Sequence, residues 1–356
     1  MERPSPGPYP QRLAEPTLTG IRIRRTEPVV VLLGKQPPHQ IAGHVHLGGG
    51  HRLGHVLTVS GGQVMVILPN GLVVALIRAG GACYGHGMAV VLVTGGSSGI
   101  GLATVRRLAA AGDRVFSASR SPAAGPAPAE VSYLPLDLAD PEACEAAVRS
   151  VVDSAGRLDV LVNNAGTGSV APLEEAADTE AHRIFEVNVF GTMRLVRAAL
   201  PVMRAQGGGR IINVTSVNDI APAPFSGWYS ASKAALSSLS AVLGAELYGS
   251  GIFVTVVAPG FFRSAMAEQL PSFQVSEDSR YATALLRLRA SNAARQSKAG
   301  DPDEVARAIE DCIRADEPPA RRVVGADGIE LEETIRHTRP ADLARLLRES
   351  VASLNQ

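Results

Sequence analysis

Residues 89–101 read AVVLVTGGSSGIG. The stretch begins with an apolar run that is typical of a buried strand, and a glycine-rich turn follows and leads into an amphipathic helix. Small residues let the backbone of such a turn approach a phosphate, and the N–H groups at a helix N-terminus attract anions. A glycine-rich loop without a ligand is the alternative. The position between a strand and a helix favours a nucleotide-binding turn.

Apolar strands alternate with amphipathic helices from Met88 onward. The strand candidates are Val90–Val93, Arg114–Ala118, Ser132–Leu136, Val160–Asn163, Arg210–Thr215 and Phe253–Ala258. Helices are expected over Gly101–Ala111 and Ser230–Leu247, and Asp301-Pro302 starts a further, capped helix. Continuous apolar runs between helices are typical of a parallel sheet buried on both faces. The pattern therefore predicts an α/β fold, a three-layer, doubly wound sheet of the Rossmann type over residues 88–356.

Residues 1–87 differ from the rest of the chain, because they hold six of the eight histidines and many prolines and glycines. We expect either that Met88 is the natural start or that residues 1–87 are a weakly ordered extension. A small independent domain is the alternative. The apolar stretch Val64–Ile77 is broken by Pro69-Asn70-Gly71, so it is too short to span a bilayer and indicates two short strands around a turn. N-terminal mass spectrometry of the native protein shows whether the chain starts at Met1 or at Met88.

The overall composition excludes several classes of partner. Basic and acidic residues number 34 each, so no electrostatic footprint for nucleic acid or an anionic membrane is expected. The three cysteines, Cys83, Cys144 and Cys312, are far apart and odd in number, which indicates a reducing, cytoplasmic compartment.

A histidine cluster in the first 87 residues lacks the carboxylates or cysteines of a recognisable metal site. It comprises His44, His46, His51 and His55. We therefore expect no bound metal, and a tract without function is favoured over a zinc or nickel site.

Tyr229 and Lys233 lie four residues apart, so a helix would place both on one face. A free phenol has a pKa of about 10, which makes it a poor proton donor at neutral pH. A nearby lysine cation favours the phenolate and would lower that pKa. A surface pair is the alternative, but Lys233 is one of only three lysines in the chain.

Several motifs together resemble the short-chain dehydrogenase/reductase superfamily across residues 88–356. They are the T-G-x-x-x-G-x-G turn, N-N-A-G at residues 163–166 and Y-x-x-x-K at residues 229–233. The resemblance implies a catalytic set of Asn188, Ser216, Tyr229 and Lys233. Family spacing selects Ser216, thirteen residues before Tyr229, over its neighbour Thr215. Asn188 would hold a water that links Lys233 to solvent, and it could equally be a buried amide that stabilises a helix kink.

The resemblance also implies a nicotinamide dinucleotide site. Its expected residues are Gly95, Ser97, Ser98, Gly99, Ile100, Gly101, Ser119, Arg120, Asp137, Leu138, Asn164, Ala165, Gly166, Tyr229, Lys233, Pro259, Gly260 and Ser264. The second strand ends at Arg120, where an NAD enzyme would carry an acidic residue for the ribose. Arginine pairs with a 2′-phosphate, and Ser97 is placed to help. NADP(H) is therefore preferred, NAD(H) remains possible, and a solvated arginine is the alternative.

Substrate contacts are expected from a lid at about residues 261–300. Ser264 stands where the family's P-G-x-x-x-T segment has threonine, and the lid offers Met266, Leu270, Phe273, Tyr281 and Leu285. The later segments resemble bacterial members near the 17β-hydroxysteroid and retinol dehydrogenase branch. The implied function is NADP(H)-dependent interconversion of a carbonyl and an alcohol, with a small molecule as substrate and no nucleic acid or membrane partner. A catalytically silent, nucleotide-binding sensor or scaffold is the alternative.

Family resemblance further implies a homodimer or homotetramer. The helices expected to pack between subunits are Thr179–Arg204 and Ser230–Leu247.

Overall fold

The computed structural model describes residues 88–122, 131–264 and 275–355, together with four strands between residues 43 and 78. The chain divides into two compact units, Met1–Ala79 and Gly80–Gln356.

The first unit holds a four-stranded antiparallel sheet in which each strand pairs with the next along the chain. Its strands are β1 Gly43–His46, β2 Arg52–Val59, β3 Gln63–Ile67 and β4 Val73–Arg78. Strands β3 and β4 confirm the two short strands expected around Pro69-Asn70-Gly71. The side chains of the histidine cluster lie outside the described residues. The natural start at Met88 stays a prediction.

The second unit is built on a seven-stranded sheet in which every pair of neighbouring strands is parallel. The strands are β5 Val90–Thr94, β6 Arg114–Ser119, β7 Val131–Pro135, β8 Val160–Asn163, β9 Gly209–Val214, β10 Ile252–Pro259 and β11 Arg321–Val324. They are arranged in the order β11-β10-β9-β8-β5-β6-β7. From β5, the chain adds β6 and β7 on one side and then β8 to β11 on the other, so the strand order reverses between β5 and β8. Doubly wound folds bind ligands outside the carboxyl ends of the strands at such a point.

Helices cover both faces of this sheet. They are α1 Gly99–Ala110, α2 Pro141–Ala155, α3 Asp178–Phe185, α4 Thr192–Ala205, α5 Gly227–Glu246, α6 Ala282–Gln296, α7 Pro302–Arg314, α8 Ala326–Arg336 and α9 Pro340–Asn355. Val90 and Leu92 of β5 pack in one core with α2, α4 and α5, while Val91 and Val93 pack in a second core with α1 and α7. Because alternate residues of a strand point to opposite faces, β5 is buried on both sides. The predicted three-layer α/β/α fold is confirmed.

Two irregular turns interrupt this pattern next to the candidate site. A π-helical turn, Glu186–Gly191, joins α3 to α4, and a 3₁₀ turn, Val217–Asp219, follows β9. The capped helix is confirmed as α7, since the Asp301 carboxylate accepts a hydrogen bond from the Asp303 amide at 3.1 Å.

Strand β11 corrects the sequence-based strand assignment, which named six strands. It is only four residues long, begins with Arg321 and Arg322, and pairs with β10 at the edge of the sheet. Because no continuous apolar run marks it, hydrophobic patterning does not reveal it.

Candidate active site

The glycine-rich turn between β5 and α1 has no room for side chains at its centre. A Cβ added at Gly101 would lie 2.1 Å from the Gly95 carbonyl oxygen, and Gly95 itself has a φ of +67°. Ser98 precedes the first residue of α1 and makes no side-chain capping hydrogen bond. The first-turn N–H groups, which Gly99 and Ile100 begin, therefore remain available to an anion. This cradle fits the diphosphate of a dinucleotide.

The end of β6 lies directly beside this turn, because the Gly95 amide donates to the Ala118 carbonyl at 2.7 Å. Ser119 is buried and its hydroxyl donates to the Ser121 carbonyl at 2.6 Å. Arg120 follows with an exposed side chain, and Ser97 is partly exposed in the turn. The structure therefore places a guanidinium at the rim of the cradle.

The expected cofactor residues Asp137 and Leu138, which follow β7, are divided between the surface and the core. Asp137 is exposed, and its carboxylate accepts a hydrogen bond from the Ala139 amide at 3.0 Å. The Leu138 side chain is buried in the core that faces α2 and α4. Only Asp137 of this pair therefore presents its side chain at the surface.

The N-N-A-G segment connects three strand ends through side-chain amides and one hydroxyl. Asn163 donates to the Asn213 amide oxygen at 2.8 Å, which links β8 to β9. The Thr94 hydroxyl accepts the amides of Asn164 and Ala165, each at 3.0 Å, which links β8 to β5. These hydrogen bonds tie the carboxyl end of β8 to those of β5 and β9. Thr94 was not among the expected site residues, although it is the threonine of the T-G-x-x-x-G-x-G motif.

Ser216, Tyr229 and Lys233 come together at the carboxyl end of β9. The Ser216 hydroxyl accepts a hydrogen bond from the Asn218 amide at 3.2 Å, and its side chain is hydrogen-bonded with Tyr229. Lys233 is buried and its ammonium donates to the Val214 carbonyl at 2.9 Å. Its Nζ lies 5.8 Å from the centre of the Tyr229 ring. The pair therefore shares one face of α5, as the spacing predicts, with Lys233 buried and Tyr229 partly exposed.

Asn188 lies in the π-helical turn and is fully buried. Its amide exchanges two hydrogen bonds of 2.8 Å with the backbone of Thr167 and donates to the Ser232 hydroxyl at 2.9 Å. A Cβ at Gly166 would lie 3.3 Å from the Asn188 amide oxygen and 3.4 Å from Lys233 Nζ. Asn188 and Lys233 therefore face the same small space, and the amide also holds the irregular helix in place.

Burial dominates the acid–base properties of the pair. It lowers the pKa of Lys233 to about 8, while the carboxylate of Asp219 acts in the opposite direction. Burial raises the pKa of Tyr229, hydrogen bonding with Ser216 lowers it, and the charge of Asp219 raises it further. The protein groups alone therefore shift the phenol away from neutral pH, which is the reverse of the expectation from the lysine cation.

The segment after β10 borders the cradle from the opposite side. Phe261 donates its amide to the Asp327 carboxylate of α8 at 2.9 Å, and a Cβ at Gly260, next to Pro259, would meet the same carboxylate at 2.3 Å. Beyond it, a cleft of about 370 Å³ is shared by the first turn of α1 and the segment that ends at Ser264. Its lining includes Ser98, Gly99, Arg106, Arg263, Ser264 and Asp301. Two arginines thus join the expected cofactor residues.

The lid is described only in part, since Met266, Leu270 and Phe273 lie outside the described residues. Tyr281 lies against Phe225, with ring centres 5.9 Å apart, and its hydroxyl donates to Glu174 at 2.5 Å. Leu285 is buried on α6, so it contributes to the packing of the lid.

Among the described residues, no group of three or more histidine, cysteine or acidic side chains is arranged to hold a metal ion. No described helix combines the length and apolar character needed to cross a membrane.

The known proteins that this chain resembles are dehydrogenases and reductases. A family model described as short chain dehydrogenase matches residues 89–274. A 3-ketodihydrosphingosine reductase from Bacteroides thetaiotaomicron is 32% identical over 237 residues, which cover 66% of this chain and 87% of the relative. The 17-beta-hydroxysteroid dehydrogenase type 1 of Homo sapiens is 36% identical over 198 residues, 51% of this chain and 59% of the relative. A crystal structure of a short-chain dehydrogenase from Streptomyces avermitilis has a TM-score of 0.62 and 33% identity, and the match covers 74% of this chain and 98% of that one.

Proposed function

Since the chain belongs to the short-chain dehydrogenase family, we propose that it interconverts a carbonyl and an alcohol with NADP(H), with Tyr229 as general acid and base. It is an oxidoreductase that acts on CH–OH and C=O groups. The observation that carries the proposal is the convergence of Ser216, Tyr229, Lys233 and Asn188 at the strand ends beside the glycine cradle.

Each of these side chains has a separate task in the proposed reaction. Ser216 binds the substrate oxygen, because its hydroxyl accepts the Asn218 amide and keeps its own O–H as a donor. Tyr229 shares that oxygen and donates the proton when a carbonyl is reduced. Lys233 provides positive charge beneath the phenol and passes protons toward Asn188. When bound, the nicotinamide supplies or accepts the hydride.

We propose NADP(H) as the preferred cofactor on the chemistry of the cradle rim. Arg120 is exposed at the end of β6, and no acidic residue occupies residues 117–121 of that strand end. A guanidinium pairs bidentately with a phosphate, whereas an acidic residue would repel it. The diphosphate would lie on the first turn of α1, and Arg106 supplies further positive charge along the cleft, where Arg263 is paired with Asp301 at 3.3 Å.

A panel of ketones, aldehydes and secondary alcohols, assayed with NADPH and NADH in both directions, tests the proposal. Tyr229→Phe should lower kcat by about 100- to 10,000-fold, because it removes the proton donor and little else. Tyr248→Phe is the matched control, since it removes the same hydroxyl from a side chain that is 88% exposed. Near-normal turnover by Tyr229→Phe would contradict the mechanism. NADPH binding without turnover of any substrate would favour the sensor or scaffold.

We further propose a homodimer or homotetramer packed through the two long helical segments. Three large apolar side chains on these segments are exposed in the single chain: Phe190 at 52%, Leu239 at 39% and Val242 at 54%. Exposed large apolar side chains on both segments support a subunit interface there. Light scattering of the purified protein tests the oligomeric state, and a monomer would contradict it.

A cytoplasmic location is part of the same proposal. Cys144 and Cys312 are free and buried, and burial raises the pKa of each thiol to about 11. Thiols of this kind are compatible with a reducing compartment.

A further inference from the structure

A buried carboxylate lies close in the chain to Ser216, one of the candidate catalytic residues. Asp219 ends the 3₁₀ turn that follows Ser216, and its side chain has no exposed surface. The Thr215 hydroxyl donates to it at 3.0 Å. An ionised carboxylate in the interior is costly unless it is paired and hydrogen-bonded, so its partners define its state.

The partner of Asp219 comes from the far end of the chain. The two Nη atoms of Arg321 donate to the two carboxylate oxygens at 2.7 and 2.9 Å. The same guanidinium donates through Nε to Glu332 of α8 at 2.8 Å and reaches Ser237 of α5 at 3.5 Å. One arginine on the edge strand β11 therefore connects the turn after Ser216 to two helices. A bidentate pair of this kind fixes orientation as well as charge.

Asp219 acts on both members of the proton-transfer pair. Its negative charge raises the pKa of Tyr229 and of Lys233, because a carboxylate disfavours the phenolate and favours the ammonium. The other charged groups around it are Arg321 on β11 and, through that arginine, Glu332 on α8. Both effects favour the protonated forms of the pair, which is the state that reduction of a carbonyl requires.

We propose that Asp219, held by Arg321, is a positioning residue that fixes the turn after Ser216 and keeps Tyr229 and Lys233 loaded with their protons. The inference rests on the proposed function, in which Tyr229 is the proton donor. Asp219 does not touch the reacting atoms in this role, and it acts through the residues that do.

The experiment is a titration of the Tyr229 phenol by ultraviolet difference spectroscopy, with Tyr229→Phe as the reference, in the full chain without cofactor. Asp219→Asn removes the charge and keeps an acceptor for Thr215. It should lower the midpoint of the Tyr229 signal by about half a unit to one unit. In the pH profile of kcat for reduction, the decrease at high pH should begin at a pH lower by the same amount. The KM should change by less than about twofold.

Asp113→Asn is the matched control. Asp113 is equally buried and pairs with both Nη atoms of Arg314, but it lies at the amino ends of the strands. Its substitution should leave the tyrosinate midpoint unchanged. Asp219→Ser removes the same charge in a smaller side chain and should give the same downward shift, so it replaces Asp219→Asn if that variant does not fold.

The outcomes separate this inference from the proposed function. A tyrosinate midpoint that stays constant or rises in folded Asp219→Asn or Asp219→Ser contradicts the role of Asp219, whether or not the enzyme turns over. A wild-type protein with no turnover contradicts the proposed function, and the spectroscopic titration still measures the effect of Asp219.

Discussion

The strands of the parallel sheet all begin on one side, the amino edge, and end on the other, the carboxyl edge. These two edges use buried polar side chains in different ways. At the amino edge, Asp113 accepts the Ala89 amide at 3.0 Å and pairs with Arg314, while Asp159 accepts the Val90 amide at 2.9 Å and pairs with Arg157. These carboxylates anchor the start of β5. At the carboxyl edge, amides, hydroxyls and the Asp219–Arg321 pair hold loops in place while the first turn of α1 keeps its N–H groups available. The amino edge therefore serves stability, and the carboxyl edge carries the proposed site.

Among substitutions that compare the two edges, the largest effect should be on cofactor affinity and should come from closing the cradle at the carboxyl edge. Gly101→Ala places a methyl group 2.1 Å from the Gly95 carbonyl oxygen, so the turn must shift away from its phosphate-binding shape. The Kd for NADPH should rise by at least about 100-fold, or about 2.7 kcal/mol. Fluorescence titration of NADPH measures it. Gly244→Ala, whose Cβ would meet its nearest atom at 3.8 Å, should bind normally, and tight binding by Gly101→Ala would show that the turn is not the site.

At the amino edge, Asp113→Asn should lower the free energy of unfolding by about 2 kcal/mol. The substitution removes the charge that compensates Arg314 and weakens the anchor on the Ala89 amide. Urea denaturation measures the loss. kcat should remain within about twofold of the wild type, and a large loss of turnover in the folded variant would break the distinction between the two edges.

The smallest effect should come from the rim of the cradle. Arg120→Asp replaces an exposed guanidinium with a carboxylate, which repels a 2′-phosphate and can accept the ribose hydroxyls. The ratio of kcat/KM for NADPH to that for NADH should fall by at least about tenfold. Arg114→Asp is not a suitable control, because Arg114 bonds Ser154; Arg149→Asp, at an exposed position on α2, is better. An unchanged ratio in Arg120→Asp would overturn the cofactor preference.

Local patterns were sufficient to predict most of this fold. Apolar runs gave six strands and the glycine turn marked the switch point, because burial on both faces and a tight backbone approach leave visible traces in composition. The spacing of Tyr229 and Lys233 placed that pair on one helical face, and the family resemblance added Ser216. The edge strand β11 was not predicted, because it is short and begins with arginines.

The contacts that long-range packing creates could not be predicted. Asp219 and Arg321 are 102 residues apart, and neither belongs to a local motif. The sign of the Tyr229 pKa shift also depended on burial, which is a property of the assembled core. Leu285 shows the same limit, because an apolar lid residue can face substrate or its own helix, and here it is buried.

The π-helical turn Glu186–Gly191 also constrains how this segment can vary in length. A π-turn has one residue more than an α-turn, and that residue sets the phase between Asn188 and the buried face of α4, which includes Leu195, Ala199 and Met203. Loss of that residue would close the wide turn into an ordinary α-turn and leave the flanking helical turns in phase. Asn188 would then lose the backbone position from which its amide reaches Ser232. A one-residue deletion in this stretch is therefore compatible with the helix but not with the placement of Asn188.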